Sequence, residues 1–367
     1  MKFRCDRDVL AEALATVQRG VSTRPGIPAL TGVLISAGPE GLLLTTTDLE
    51  VTTQVQVPVE VAAEGTALVP ARLIADMVKS LPPDAVELDT DGSQARVVCR
   101  SFEGTLRCLP AEDFPAFREP EGTTVTVAAD AFAEGAGQVA RAASRDEARP
   151  VLTGVLLEAN REGLTLVATD SYRLAVRELA ATGEGEATAL VPERALTEAA
   201  RAAAGEEKGQ VQLVLGDAQA AFRAGPLRLT SRLIDEQFPN YRQLLPEPGA
   251  NRLVASRQEL LEAVRRVGLL ARESSPVRLE LNALGVRLTS SSPDLGGAVE
   301  AVEASYEGEE LTAAFNPAYL GDGLAGVVGD RVEIEFRDGL KPAVVHGTGG
   351  GEFTYLVMPV RLPAAVG

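Results

Sequence analysis

Apolar residues along this chain follow two rhythms that alternate in a fixed order. Val9, Leu10, Ala13, Leu14 and Val17 recur at i, i+3 and i+4 spacing, which predicts a helix over residues 9–19 with Asp6 or Asp8 as its cap. Phe3 and Cys5, just before it, predict a short strand. Arg24-Pro25 and Ile27-Pro28 then hold the backbone extended. Apolar and polar residues next alternate, predicting strands over 31–36, 42–47 and 51–57. Pro70 suits the first turn of a helix over 71–81, which Pro82-Pro83 ends. Strands over 86–88, 95–100 and 105–109 lead to Asp113-Phe114-Pro115.

The same order then returns. Leu-Thr-Gly-Val at 30–33, Thr47-Asp48 and Leu68-Val69-Pro70 all recur 122 positions later, as residues 152–155, Thr169-Asp170 and Leu190-Val191-Pro192. Arg149-Pro150 matches Arg24-Pro25, and Gln237-Phe238-Pro239 matches the earlier Asp-Phe-Pro. Between them the pattern predicts helices over 131–144 and from 193 to about 204, with strands over 124–127, 211–215 and 220–224. A weaker third copy follows: helices over 259–270 and 318–327, and strands over 252–254, 277–281, 286–290, 332–336, 342–346 and 353–360. Ser292-Pro293-Asp294 stands where the others have Thr-Asp, and Phe315-Asn316-Pro317 where they have Leu-Val-Pro. A period this long exceeds solenoid units and predicts duplicated domains, at 1–122, 123–250 and 251–367. Each reads β-α-β-β-β-α-β-β-β, an α+β fold of two helices on antiparallel sheet with one solvated face.

A chain of 367 residues has ample core for two or three domains. No apolar run approaches the roughly 18 residues of a membrane span, and MKFRCDRDVL turns charged too soon for a signal peptide; the expected location is cytoplasmic. Cys5, Cys99 and Cys108 lack C-x-x-C spacing and read as reduced, mostly buried thiols. The lone His346 leaves little for His-based metal sites or nucleophile pairs and reads as structural. A net charge of −17 argues against nucleic acid unless a local basic patch sits on the acidic body. The basic residues are nearly all Arg, whose fork suits phosphate.

Three readings that would give the chain chemistry of its own each fail on their own residues. Asp48, Glu50, Asp113 and Asp170 offer paired carboxylates, but Thr-Asp recurs at one place in two repeats, which predicts an Asx-type turn capping a strand. Asp89-Thr90-Asp91-Gly92 lacks the distal Glu of a calcium loop and reads as a hairpin turn. The glycine-rich 347–351 lacks the Lys-Ser/Thr of a phosphate loop. Neither catalysis nor a cofactor is expected, which leaves a binding or scaffold protein built of the same repeats.

The triple repeat, Thr47-Asp48-Leu49-Glu50, Ala168-Thr169-Asp170, Arg173-Leu174-Ala175-Val176, Phe238-Pro239-Asn240-Tyr241-Arg242 and the closing Val357–Leu362 together resemble the bacterial DNA polymerase III beta subunits, the sliding clamps. The resemblance covers residues 1 to 362. It implies a homodimeric ring of three clamp domains per subunit, with helices lining the hole and strands forming the outer wall. Such a ring encircles duplex DNA without regard to sequence and tethers the replicative polymerase, conferring processivity. Topological retention needs only weak phosphate contacts, which an acidic body with a basic lining can supply. Arg7, Arg19, Arg72, Lys79, Arg141, Arg145, Arg194, Arg201, Arg265 and Arg266 lie on or beside helices and are candidates for that lining.

The family binds the polymerase alpha subunit, the clamp loader and repair and translesion polymerases through short peptides in an apolar pocket. The resemblance puts Leu152, Thr169, Ser171, Tyr172, Arg173 and Leu174 on one side of it. Pro239, Gln243 and Leu244 come from the following segment. Asn316, Tyr319, Pro342, Val357, Met358, Pro359, Val360, Arg361 and Leu362 come from the third repeat. Leu, Val and Met would form an adaptable floor, with Arg and Tyr at the rim. Here Ser171 replaces a frequent glycine and Gln243 a frequently basic residue. Arg24 and Arg149 match loops that contact DNA in the family, although the second loop here carries Asp146 and Glu147, with Pro150 and Val151 in place of aromatics. For the dimer, Leu269 and Leu270 match residues that pack on Leu106 of the partner, with Arg96, Arg100 and Arg107 facing Glu300 and Glu303.

Overall fold

The computed structural model describes all residues except 23–25, 207–208, 247–248, 272–275, 349–351 and 362–367. Arg24 and Leu362 therefore lie outside the described residues. The chain divides into two compact units, one of residues 1–130 and 201–233, the other of residues 131–200 and 234–367.

In the first unit, helix α1 (Arg7–Gln18) starts at Asp6, whose Oδ1 accepts from the amides of Asp8 and Val9. That satisfies two of the four free N–H groups at the helix start. The stripe Leu10, Ala13, Leu14 and Val17 is buried and α1 packs on α2 (Ala71–Ser80), which buries Ala71, Ile74, Ala75 and Val78. Pro70 occupies the cap position of α2 rather than its first turn. Beside them lies a five-stranded antiparallel sheet in the order Glu60–Ala63, Lys2–Asp6, Ala85–Thr90, Gln94–Cys99, Phe102–Arg107. A second sheet carries, in order, Thr123–Ala128, Gln210–Leu215, Gln219–Ala224, Leu227–Arg232, Val51–Val57, Gly41–Thr47, Gly32–Gly38 and Gly65–Pro70.

Helices α3 (Ala129–Ala140) and α4 (Glu193–Ala203) belong to the second repeat. The former buries Phe132, Ala136 and Val139, the latter Ala195, Leu196 and Ala199. In the second unit, α5 (Arg257–Gly268) is capped by Ser256 and α6 (Pro317–Gly326) by Asn316, and the two pack together. A nine-stranded antiparallel sheet runs Ala187–Pro192, Gly154–Ala159, Leu164–Thr169, Arg173–Leu179, Phe353–Val357, Ala343–Gly347, Arg331–Phe336, Asn251–Ser256, Ala304–Glu307. A four-stranded sheet runs Gly296–Val302, Gly285–Ser292, Val277–Asn282, Leu311–Phe315.

The six expected helices form, the third ending at Ala140 rather than at 144, but each repeat has more strands than its pattern predicts. Gly65–Pro70, Ala187–Pro192 and Leu311–Phe315 are strands that run straight into a helix. Their apolar residues are contiguous and buried, so they lack the alternation that marks a half-exposed strand. Leu227–Arg232, Gly296–Val302 and the short edge strands Glu60–Ala63, Ala181–Gly183 and Ala304–Glu307 are also additions. The last strand stops at Val357, three residues short of expectation, because Pro359 cannot donate to a ladder.

Candidate functional site

The repeated Thr-Asp pair builds the same turn twice. Thr169 Oγ1 donates to the Arg173 carbonyl (2.6 Å) and accepts from Ser171 N (3.2 Å); Asp170 Oδ1 accepts from the amides of Tyr172 (2.9 Å) and Arg173 (3.0 Å). In the first repeat Thr47 bonds Val51 O and Leu49 N, and Asp48 takes the amides of Glu50 and Val51. The Oδ1 atom of each carboxylate is thus held by backbone amides, as the Asx-turn reading expects. The third turn residue is left-handed in each, Leu49 at φ 77 and Ser171 at φ 79, which is why glycine suits the position.

The second of these turns feeds a strand that joins the second repeat to the third. Arg173 pairs with Val357 and Leu174 with Leu356. Met358 N continues the ladder to the Tyr172 carbonyl (2.8 Å), and Val360 N reaches the Ala314 carbonyl (2.7 Å). Successive side chains on these strands face opposite sides. On one side, Leu156, Val167, Leu174, Val176, Leu190 and Leu356 form a buried cluster under Tyr241, with Val151, Ile234, Phe238 and Val344 packed at its margin. Met358 (43%), Val360 (38%) and Leu244 (51%) are exposed apolar side chains in the segments that follow these strands and Tyr241. Pro239, Gln243 and Arg361 are exposed nearby in sequence, Pro342 and Pro359 half-buried, and Leu152, Thr169 and Val357 buried.

On the other side sits Arg173, and its setting differs from a rim contact. Its side chain is only 10% exposed. Nε donates to Asp170 Oδ2 (3.0 Å), Nη1 to Asp322 Oδ2, and the guanidinium lies 4.4 Å from the centre of the Tyr319 ring. Burial works against the charged guanidinium, but Tyr355, Asp322 and Asp170 outweigh it and raise its pKa. Tyr355 OH donates to the Tyr319 carbonyl (2.8 Å). The ring passes so close to Gly323 that a Cβ there would meet Tyr355 Cδ1 at 2.5 Å. Tyr319 stacks on the exposed Tyr172, with centroids 6.3 Å apart and planes 25° apart. Arg173 is therefore a buried clamp beneath two aromatic rings. Asn316 is likewise spoken for: its Oδ1 accepts from Ala318 and Tyr319 amides and starts α6.

Asp322 and Tyr355 were missed by sequence reasoning. Asn316, Tyr319 and Asp322 are spaced i, i+3, i+6, which puts them on one helix face; that spacing was the available signal for Asp322. A cavity of about 800 Å³ adjoins the aromatic pair, lined by Arg141, Arg145, Arg149, Arg173, Tyr172 and Tyr319 among others. Arg149 donates to Asp146 Oδ2 (3.2 Å) and Ser171 Oγ (3.4 Å).

Of the residues expected at a subunit seam, Leu106, Arg107 and Glu300 lie on two sheet-edge strands. Phe102–Arg107 ends the five-stranded sheet, and Gly296–Val302 ends the four-stranded one. Leu106 is buried and Arg107 exposed; Arg96 pairs with Glu103 and Arg100 with Asp84. Leu269 is 79% exposed after α5, Leu270 half-buried and Glu303 exposed. Glu300 accepts from Arg266 Nη2 at 2.6 Å, and that bond holds its carboxyl below the usual range.

Comparison with known proteins covers all of these elements. Residues 1–118, 126–240 and 242–361 match the N-terminal, central and C-terminal domains of the DNA polymerase III beta subunit. The beta sliding clamp of Streptomyces coelicolor is 40% identical over 99% of this chain and 100% of its own length. The beta sliding clamp homolog GriR of Streptomyces muensis is 35% identical over 98% and 99%. Among solved structures, the sliding clamp of Pseudomonas aeruginosa bound to griselimycin aligns with a TM-score of 0.94, 33% identity, and coverage of 99% and 100%. The Bacillus subtilis clamp aligns at 0.93 with 29% identity, covering 99% of this chain and 100% of that one. With the repeats, the paired turns and every domain accounted for over its full length, the chain belongs to the DNA polymerase III beta subunit family, the bacterial beta sliding clamps.

Proposed function

We propose that two copies close head to tail into a ring that encircles duplex DNA and tethers the replicative polymerase and repair proteins, raising processivity without catalysis. The observation that carries this reading is the match of three consecutive clamp domains across the whole chain. Two open strand edges of a size to pair, Phe102–Arg107 and Gly296–Val302, support the closure. Left bare, such edges invite aggregation, and pairing between copies would satisfy their hydrogen bonds. Leu269 and Leu270 would pack at that seam against the partner copy, near Leu106. Domain boundaries at 122/123 and 250/251 follow from the repeats. Arg24 and Arg149 are the proposed DNA contacts.

Partner peptides would dock against the exposed Leu244, Met358 and Val360, backed by the buried Leu174, Val176 and Leu356 and edged by Tyr172. A groove with a Leu/Val floor, a flexible Met and a few exposed polar groups suits an extended peptide with apolar anchors. The solved Pseudomonas aeruginosa clamp carries griselimycin, which is consistent with ligand binding in this family.

The test is retention on nicked circular DNA after loading, compared with the same DNA linearised. Retention on circles and loss from linear molecules is expected, abolished by Leu269→Ala with Leu270→Ala. Equal retention on both, or none with a competent loader, would sink the ring and leave a scaffold.

A further inference from the structure

The geometry points to a zinc-class divalent metal site on the nine-stranded sheet, built from Glu333, Glu335 and His346. Sequence alone set His346 aside as structural, yet the register puts it directly opposite Glu333, with Glu335 two residues along the same strand and so on the same face. One ligand atom from each of the three lies within 4.8 Å of the others. His346 Nε2 stands 3.1 Å from Glu335 Oε1, close to the roughly 3.3 Å that separates neighbouring ligands around a tetrahedral Zn²⁺ with bonds near 2.0–2.1 Å.

The imidazole is oriented for this role. His346 Nδ1 lies 3.0 Å from the Gly347 carbonyl. A carbonyl oxygen only accepts, so Nδ1 carries the hydrogen and Nε2 turns its lone pair toward the Glu335 carboxylate. Two lone pairs at that distance need a cation between them, either a proton or a metal ion. The carboxylates are oriented too. Glu335 Oε2 accepts from Gly249 N (3.0 Å), which aims Oε1 at the histidine. Glu333, only 5% exposed, is gripped through both oxygens by the Arg252 fork. A carboxylate has about four acceptor positions and keeps room for a metal beside that fork. Each of the three thus has the outer hydrogen-bond partner that metal ligands regularly have. Two carboxylates against one guanidinium leave one net negative charge to meet the ion, with water as the fourth ligand. The metal would cross-link strands 331–336 and 343–347, two residues along from Val344 at the margin of the apolar cluster.

The test uses full-length protein stripped with chelator, in a Cys108→Ser background that removes the accessible thiol. ZnCl₂ is titrated by calorimetry, and Co²⁺ is followed by its visible d–d absorption. One equivalent per chain is expected, with a tetrahedral Co²⁺ band. His346→Ala, and independently the isosteric Glu335→Gln, should each weaken binding by at least about 100-fold and remove the band. Because Glu335→Gln keeps the shape of the side chain, it reports even where the alanine variant folds poorly. Absence of saturable binding would mean that a proton alone bridges the pair, and binding unchanged in both variants would place the metal elsewhere; either result overturns the site.

Discussion

Truncating Arg173 to alanine strips the counter-charge from two carboxylates at once. Removing one member of a buried ion pair costs about 3–5 kcal/mol. Asp322 is 36% exposed here, and Asp170 keeps its two backbone donors, so the low end applies. Loss of the guanidinium under Tyr319 adds about 1 kcal/mol, giving an expected local destabilisation of about 3–4 kcal/mol. A chain of several domains has no single two-state unfolding energy, so the measurement is native-state hydrogen exchange at amides of Arg173–Leu179 and Phe353–Val357, compared with Gly285–Ser292 in the same chain. The cycle Arg173→Ala with Asp322→Ala should show coupling of about 2 kcal/mol. Arg173→Lys should recover less than half, because an ammonium cannot bond both carboxylates through a planar fork. The exposed pair Arg287–Glu280 at 3.5 Å is the control, expected below about 1 kcal/mol. An Arg173→Ala cost no larger than that control, or zero coupling to Asp322, would refute the clamp and return Arg173 to the role of an exposed contact.

The two left-handed turn residues predict a gain. Leu49→Gly removes about 1–2 kcal/mol of backbone strain against about 0.4–1 kcal/mol of added unfolded-state entropy, so the opening free energy read from exchange at Val51 and Thr52 should rise by up to about 1.6 kcal/mol while Leu49→Ala shows no gain. Burial, with Asp6 adding to it, pushes the Cys5 thiol up to about 11; maleimide at pH 8 should label Cys108 first and reach buried Cys5 and Cys99 only on unfolding, and prompt labelling of Cys5 would contradict the packing of its strand. The Arg100 hydrogen bond holds Asp84, and the Arg266 hydrogen bond holds Glu300, below their ordinary 3.8 and 4.5. Lowered carboxyls contribute stability that is complete above the ordinary values and lost as pH falls through the lowered ones, so the thermal midpoint should hold from neutrality to about pH 5 and drop below about pH 4. Arg266→Gln should shrink that drop, and an unchanged drop would remove Glu300 from the account.

What could be read without coordinates was whatever local chemistry dictates. The stripe of α1, its Asp6 cap and the Thr-Asp turns each depend on residues within four positions, and all stand as the pattern implies. The missed strands share a different logic. Leu68-Val69 and Leu190-Val191 are buried on both faces, so their polarity does not alternate and only their sheet neighbours define them. The setting of Arg173 was hidden for a related reason. Its partners Asp322 and Tyr355 lie about 150 and 180 residues away in sequence, and nothing local distinguishes a buried arginine from an exposed one.

The duplication also shows why one of two nearly identical junctions became apolar. In the first unit Val51–Val57 pairs with Leu227–Arg232 as Arg173–Leu179 pairs with Phe353–Val357 in the second, and Thr52 opposite Thr230 matches Leu174 opposite Leu356. The backbone bonds match as well: Arg232 N reaches Glu50 O at 2.8 Å, just as Met358 N reaches Tyr172 O. What differs is the side chains on one face of the sheet. Val167, Leu174, Val176 and Leu356 at one junction correspond to Thr45, Thr52, Gln54 and Thr230 at the other. There Gln54 Nε2 bonds Thr45 Oγ1 (3.2 Å), and the hydroxyls of Thr47 and Thr52 lie 2.9 Å apart. Thr45, Thr52 and Gln54 are thus hydrogen-bonded and offer an apolar anchor nothing to displace, since exposing or stranding them would cost those bonds. The four aliphatic residues at the second junction carry no such cost. The proposed docking would thereby fall to one junction by side chains alone, on a backbone that the chain built twice.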